Sequence, residues 1–276
     1  MIPEKRLQHG TAIPQVGFGT YKIAPQDAEA AVATALELGH RHIDTAAMYG
    51  NEVEVGRALA RSGLARDELF VTSKLDNPYH EPDAARAAFE RSLSQLGLEF
   101  LDLYLIHWPL AATTDYVATW RALVEIQASG RAREVGVSNF QPDHLRAVIG
   151  ATGVTPAVNQ VEINPYLTQE PLRALHAKLG ILTQAWSPLA RGRVLADPVV
   201  GALARGLGRT PAQVVLRWHL QRGDVVFPKS THRARIAENL AVLDFELDAD
   251  AMAAISGLNR DERSGSDPDK VELGNR

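Results

Sequence analysis

Four polar side chains able to move or steer a proton stand at the ends of apolar runs or shortly after one. Asp44 closes Arg41-His42-Ile43-Asp44, Lys74 closes Leu69-Phe70-Val71-Thr72-Ser73-Lys74, His107 closes Leu103-Tyr104-Leu105-Ile106-His107, and Tyr49 follows the first run. Asp, Tyr, Lys and His together suit the reduction of a carbonyl. When hydride adds to a carbonyl carbon, negative charge gathers on the oxygen, and a positioned proton donor speeds the step by roughly 10²–10⁴-fold. Tyr49 is the donor in this reading. A free phenol, with a pKa of about 10, is a weak acid at neutral pH. An ammonium about 4 Å away, at an effective dielectric of about 20, favours the phenolate by roughly 4 kcal/mol as an upper figure, so Lys74 is expected to tune Tyr49 downward. Asp44 would keep Lys74 charged and oriented, and a neutral His107 would donate a hydrogen bond to the carbonyl oxygen. Taken singly, each residue has a blander role: a strand-ending Asp is commonly a cap, a lone histidine a satisfied core residue, a loop tyrosine a surface aromatic. Their joint placement is what carries the reading.

The elements that must position them follow from periodicity. Eight short aliphatic runs, Val16–Gly19, Arg41–Asp44, Phe70–Lys74, Leu101–His107, Glu134–Ser138, Ala157–Glu162, Leu182–Trp186 and Val225–Lys229, read as strands. Between them lie amphipathic segments at 28–38, 52–61, 83–96, 115–129, 142–149, 170–179, 210–221 and 234–240. Eight strand–helix pairs in series predict an α/β fold, one (β/α)8 barrel spanning residues 1–276. Two extra helices at 199–207 and 249–258 would decorate it, and Lys5–Leu7 with Ala12–Pro14 would form an amino-terminal β-hairpin that plugs the bottom. Residues 259–276 read as a short polar tail, unable to build an enclosed apolar lid, which predicts an open and permissive site. An open doubly wound sheet would need a Gly-rich phosphate turn, and Gly17-Phe18-Gly19-Thr20 lacks the third glycine. In a barrel of this kind catalytic groups come from the carboxyl ends of the strands. Asp44, Lys74, His107, Ser138, Asn139, Gln160, Trp186 and Lys229 all fall there.

Composition sets the outer bounds. At 45% apolar and 22% charged the chain has a soluble-globular balance, with no apolar stretch of membrane-spanning length and no signal-peptide core at its amino terminus. No membrane association is expected, and the cytoplasm is the expected compartment. Zero cysteines exclude disulfides, thiolate nucleophiles and cysteine-ligated metals, so redox chemistry must come from a bound cofactor. A net charge of −4 argues against nucleic acid as a partner. One stretch departs from that balance: from Arg205 to Arg235 seven Arg and Lys residues stand against Asp224 alone. Within it Lys229, Ser230 and Arg235 straddle an expected helix start after Pro228, a setting for an anion such as a 2′-phosphate.

These residues resemble the aldo-keto reductase family, from Ile13 to about Asn259. Gly39-His40-Arg41-His42-Ile43-Asp44-Thr45-Ala46-Ala47-Met48-Tyr49-Gly50-Asn51-Glu52 is similar to the family's first signature, Leu105-Ile106-His107-Trp108-Pro109 to its histidine strand, and Phe227-Pro228-Lys229-Ser230 to its cofactor segment. The short bacterial members, including 2,5-diketo-gluconate reductases, resemble it best. The resemblance implies a barrel that binds a nicotinamide dinucleotide, NADPH/NADP, without a Rossmann domain, with Asp44, Tyr49, Lys74 and His107 as the catalytic tetrad and no metal. It further implies that Gly19 and Thr20 approach the nicotinamide ribose and Ser138, Asn139 and Gln160 the carboxamide. Trp186 would stack on the ring, and Ser187, Leu189 and Arg191 or Arg193 would lie over the pyrophosphate. Lys229, Ser230 and Arg235 would hold the 2′-phosphate and Glu238 and Asn239 the adenine, while Tyr21 and Trp108, beside Tyr49 and His107, would wall the carbonyl substrate. Asp76, where many members carry tryptophan, and His232 depart from the family pattern. The expected activity is reduction of small aldehydes or ketones, diketones and keto sugars included, by a monomer. Two alternatives remain at this point: a nicotinamide-nucleotide sensor with negligible turnover, and a metal-dependent hydrolase built on His40, His42 and Asp44.

Overall fold

Alternating short strands and amphipathic helices close into a barrel in the computed structural model, which describes residues 2–273; residue 1 and the last three residues of the polar tail lie outside the described residues. A two-stranded antiparallel hairpin comes first, β1 (Glu4–Arg6) on β2 (Ala12–Pro14), with Lys5 opposite Ile13. Eight parallel strands then follow one another around the sheet in chain order: β3 (Phe18–Gly19), β4 (His42–Asp44), β5 (Phe70–Leu75), β6 (Leu101–Ile106), β7 (Ala132–Ser138), β8 (Val158–Glu162), β9 (Leu182–Trp186) and β10 (Val225–Val226). The first and last meet through a parallel bridge between Val16 and Val226, the Gly17 amide donating to the Val226 carbonyl at 2.7 Å and the Val226 amide to the Gln15 carbonyl at 3.0 Å.

Closure depends on glycine. A Cβ at Gly19 would stand 2.5 Å from the Phe227 carbonyl oxygen, so only a bare backbone lets β3 lie against the segment leaving β10. These two strands are shorter than the sequence pattern predicts, because Pro228 removes an amide donor just past β10 and Gly17 must pass close over His42. His107 likewise lies just beyond β6 rather than within it.

Ten helices, α1 (Pro25–Glu37), α2 (Glu52–Arg61), α3 (Pro82–Leu96), α4 (Tyr116–Ala128), α5 (Pro142–Thr152), α6 (Glu170–Leu179), α7 (Pro198–Leu207), α8 (Pro211–Gln221), α9 (Arg233–Leu240) and α10 (Ala249–Ser256), are present among the described residues. Most begin on a proline at the first or second helical position, where its missing amide costs nothing. Side-chain caps act as well: Asp115 accepts from the Val117 and Ala118 amides at the start of α4, and Thr210 forms a reciprocal box with Gln213 at the start of α8. Helices α7 and α10 are the two beyond the eight-fold repeat. None of the described helices is long and apolar enough to cross a membrane.

Two apolar clusters result. The larger fills the space between strands and helices, and the smaller, with Phe70, Leu103, Leu105, Val158 and Val225 facing Leu7 and Ile13 of the hairpin, seals the amino-terminal end of the barrel. The opposite end is left for polar side chains.

Burial extends to several histidines, with a consequence for stability. His40, His42, His80 and His176 are each pushed by burial from 6.5 to about 4. Because the folded-state pKa lies below the unfolded one, the unfolded chain binds more protons between these values, and stability falls as pH falls. Each such histidine is worth about 3 kcal/mol across that interval. Denaturant melts should therefore show a plateau above pH 6.5 and a steep loss toward pH 4; equal stability at both ends would contradict this.

Candidate active site

Strand register brings the predicted groups together. Asp44 pairs with Thr72 across β4 and β5, and two residues further along the same face of β5 stands Lys74. Lys74 pairs in turn with Leu105 of β6, and two residues on comes His107. Period-two alternation thus points Asp44, Lys74 and His107 into the same end of the barrel. Tyr49 reaches them from a 3-10 turn, Ala47–Tyr49, that Gly50 closes in a left-handed conformation (φ 67°). Asn51 fixes the turn: its side-chain amide donates to the Thr20 and Ile23 carbonyls, and its oxygen accepts from the Thr20 and Thr45 hydroxyls.

Three of the four groups meet at Lys74, and His107 joins them through the Tyr49 ring. Its Nζ donates to Asp44 Oδ1 at 2.6 Å, to the Thr45 carbonyl at 2.8 Å and to the Tyr49 hydroxyl at 3.3 Å. The Tyr49 and His107 rings lie edge to face with centroids 5.7 Å apart, and Tyr21 sits 5.1 Å from Tyr49 on another side. The second oxygen of Asp44 accepts from Gln160 Nε2 at 2.8 Å, so the carboxylate is held at both ends.

Electrostatics in this enclosed space are set first by loss of water. Burial lowers the pKa of Lys74, opposed by the charge of Asp44, and burial followed by the Lys74 charge drives His107 well below its usual value. His107 is therefore neutral, as expected. Tyr49 departs from expectation: burial, then the negative charge of Asp44 and the neighbouring Tyr21, raise its pKa well above 10 rather than lowering it. Loss of solvent and the carboxylate outweigh the ammonium. The phenol thus keeps its proton throughout the neutral range.

Around this core stand the other predicted residues. Ser138 donates to the Gln160 carbonyl at 2.8 Å. Asn139, in a left-handed conformation (φ 65°), donates to the His107 carbonyl at 2.9 Å and accepts from Trp186 Nε1 at 2.9 Å. Trp108 and Trp186 lie 6.5 Å apart, edge to face. Thr20 is fully buried and its hydroxyl is spent on Thr45 and Asn51, and Gly19 touches the Phe227 carbonyl. Ser187, Ala190 and Arg191 all take positive φ, so the segment carrying Ser187 and Leu189 is strained backbone beside the mouth.

A second group lies on the segment between β10 and α9. Helix α9 begins at Arg233, within one residue of the start the periodicity predicts, and the Ser230 hydroxyl accepts from the His232 amide at 3.0 Å in the turn that leads into it. Ser230 and Asn239 are buried, and Lys229 and Arg235 are exposed. Arg233 is paired with Glu37 at 2.7 Å, whereas Lys229 and Arg235 enter no ion pair with a described residue, which leaves both cations available to an anion. Glu238 is engaged by the Thr210 hydroxyl at 2.6 Å.

His40 and His42 do not gather with Asp44 around a metal. His42 is turned to the Pro14 carbonyl and the Thr72 hydroxyl, each at 3.3 Å, and His40 packs edge-on to Phe18. No cluster of three His, Cys, Asp or Glu side chains is placed to hold a metal ion among the described residues.

Sequence reasoning passed over Asn51, Glu52 and Glu162. Glu52 is buried beneath Lys74, accepting from Ser73 Oγ at 2.5 Å and Ser92 Oγ at 3.1 Å; adjacency to Asn51 in the quoted signature was the available signal. Glu162 ends β8 two residues beyond Gln160, on the same face, and is fully buried at the mouth.

A family model described as "Aldo/keto reductase family" matches residues 10–260. An aldo-keto reductase of Mycolicibacterium smegmatis is 50% identical over 268 residues, covering 97% of this chain and 98% of that protein. Methylglyoxal reductase DkgA of Salmonella typhimurium is 46% identical over 267 residues, 96% of each chain. Among solved structures, a point variant of Gox0644 in complex with NADPH superimposes with a TM-score of 0.95 at 44% identity, covering 99% of both chains.

Proposed function

The chain belongs to the aldo/keto reductase family, and we propose that it reduces small aldehydes and ketones, dicarbonyls and keto sugars among them, with Tyr49 as the proton donor. It is an NADP-dependent oxidoreductase, as the NADPH complex of a neighbour at 44% identity and a methylglyoxal reductase at 46% identity support. Methylglyoxal is a dicarbonyl, and this is what favours short dicarbonyls within the substrate class. A binding role without turnover loses ground to the intact tetrad.

The observation that carries the proposal is the convergence of Asp44, Lys74 and Tyr49 through bonds of 2.6 and 3.3 Å on Lys74 Nζ, with His107 against the Tyr49 ring. Bound NADPH supplies the hydride; Trp186, Asn139, Ser138 and Gln160 would hold its nicotinamide end, Ser187 and Leu189 its middle, and Lys229, Ser230 and Arg235 its 2′-phosphate. His107, neutral, donates a hydrogen bond to the substrate oxygen and sets its angle. As charge builds on that oxygen it becomes a stronger base than phenolate, so the Tyr49 hydroxyl transfers its proton and the Lys74 ammonium stabilises what remains. Asp44 keeps the ammonium in place. Tyr21 and Trp108 wall the substrate, and we read residues 1–276 as one barrel domain with residues 259–276 as its polar tail. A cytoplasmic monomer is part of the proposal: Asp44, Tyr49, Lys74 and His107 all come from one chain.

The test is steady-state cofactor consumption across aldehydes, dicarbonyls and keto sugars with NADPH and with NADH. Two unpaired cations and a buried hydroxyl at the 2′-phosphate position predict a clear preference for NADPH. Replacing Lys229 and Arg235 together by Ala should lower kcat/KM for NADPH by roughly ten- to a hundredfold and shrink its ratio to NADH. Equal efficiency with both cofactors in the unaltered protein would contradict this assignment.

A further inference from the structure

A buried carboxylate docks residues 264 and 265 of the polar tail on the site. Glu162 forms no ion pair with any described residue; its Oε1 accepts from the Ser264 amide at 2.7 Å and from the Ser264 hydroxyl, and its Oε2 accepts from the Gly265 amide at 3.0 Å. Backbone donors of a distant segment thus take the place of a cation around a charge that is otherwise expensive to bury. Asn164 Nδ2 adds a longer bond at 3.4 Å.

The docked segment lands on Trp186. A Cβ at Gly265 would stand 2.3 Å from Cη2 and 2.8 Å from Cζ3 of the indole, so the glycine packs directly against its benzo ring with no room for a side chain. Trp186 pairs with Glu162 across β8 and β9, which explains why one carboxylate can dock the tail there. The pyrrole edge is held by the bond to Asn139, and Trp108 lies at the side. Upstream, the Arg260 and Glu262 amides both donate to the Tyr166 carbonyl, Arg260 stacks on the Tyr166 ring at 3.8 Å, and Glu262 pairs with Arg193. The tail therefore reaches Trp186 already restrained.

We propose that Glu162 and Gly265 are positioning residues: the carboxylate docks the tail, and the docked glycine sets the plane of Trp186 and so the face that this indole offers to the nicotinamide. The inference rests on the reading that Trp186 lies beside the cofactor. Side chains larger than hydrogen at 265 push the indole off that plane, and Glu162→Gln turns one acceptor oxygen into a donor facing an amide, which undocks the segment.

The test is a double-mutant cycle on Gly265→Ala and Trp186→Phe, with Glu162→Gln as an independent way to release the tail. Near-ultraviolet circular dichroism and tryptophan emission are read on the cofactor-free protein, and NADPH Kd by fluorescence titration. Gly265→Ala and Glu162→Gln should each change the tryptophan signals and weaken NADPH by roughly three- to thirtyfold. In the Trp186→Phe background, where the benzo ring is gone, adding Gly265→Ala should change the Kd less than about twofold, since coupling vanishes once one partner is removed. Unaltered dichroism and emission in Gly265→Ala would overturn the docking geometry, and an undiminished effect in the Trp186→Phe background would overturn the route through the indole. If Trp186→Phe by itself leaves NADPH Kd unchanged while Gly265→Ala still alters the tryptophan signals, the placement of Trp186 beside the cofactor fails instead, and the proposed consequence with it.

Discussion

Tyr49→Phe should lower kcat for carbonyl reduction by roughly 10²–10⁴-fold while leaving NADPH Kd within about twofold. The substitution removes one oxygen. The ring stays between Tyr21 and His107, at the 5.1 and 5.7 Å centroid distances that hold it, and Lys74 keeps its bonds to Asp44 Oδ1 and the Thr45 carbonyl. What disappears is the proton donor and its 3.3 Å contact with Lys74 Nζ. Burial and the Asp44 charge hold the phenol protonated through the neutral range, so nearly every molecule carries the acid in its working form. The measurement is kcat and cofactor Kd side by side. Unchanged turnover would reassign the acid, and lost cofactor binding would show that the phenol acts on the dinucleotide instead.

Lys74→Met should cost almost as much in kcat and carry a stability penalty that Tyr49→Phe lacks. Both partners of the Lys74–Asp44 pair are almost fully buried, and removing the cation leaves Asp44 with the Gln160 amide as its remaining side-chain donor. Breaking a buried pair on one side costs about 3–5 kcal/mol, and denaturant melts will read it. The pH dependence should change as well. Burial lowers the Lys74 pKa while it raises that of Tyr49, so as pH rises the pair gives up its first proton mainly at the ammonium. Activity in the unaltered protein is then present at neutral pH and lost on the basic side as the ammonium discharges. With methionine at 74 that limb has no group to report, and the residual rate should be flat there. A basic limb of unchanged position in Lys74→Met would assign it to another residue.

The convergence of Asp44, Lys74 and His107 was legible in the sequence because strands alternate faces and neighbouring barrel strands are staggered by register. Asp44, Lys74 and His107 each end an apolar run, and that pattern places them at one mouth with no knowledge of contacts. The hairpin and both extra helices were likewise visible in local turn and helical spacing. Three things were not. The end strands β3 and β10 read longer than they are, because what shortens them is the close passage of Gly17 and Gly19 over other parts of the chain and a proline after the strand, which a local apolar pattern does not register. The direction in which Tyr49 shifts depends on how completely water is excluded, a property of the assembled mouth; an ammonium at hydrogen-bond distance suggested the opposite. Glu162 sits in Glu162-Ile163-Asn164-Pro165, which reads as the polar end of a strand entering a turn, and its partners Ser264 and Gly265 lie more than a hundred residues downstream, beyond any local pattern.

The most direct test of the account is transfer of label in a single turnover. Protein mixed with a stoichiometric amount of NADPH carrying deuterium at the transferable C4 position, together with methylglyoxal or another short dicarbonyl, should yield one hydroxyl product per NADPH consumed, with deuterium on the new carbinol carbon, and Tyr49→Phe should bind the same cofactor and yield almost none. Binding of NADPH with no alcohol formed across the carbonyl panel, or an alcohol without the label, would contradict it.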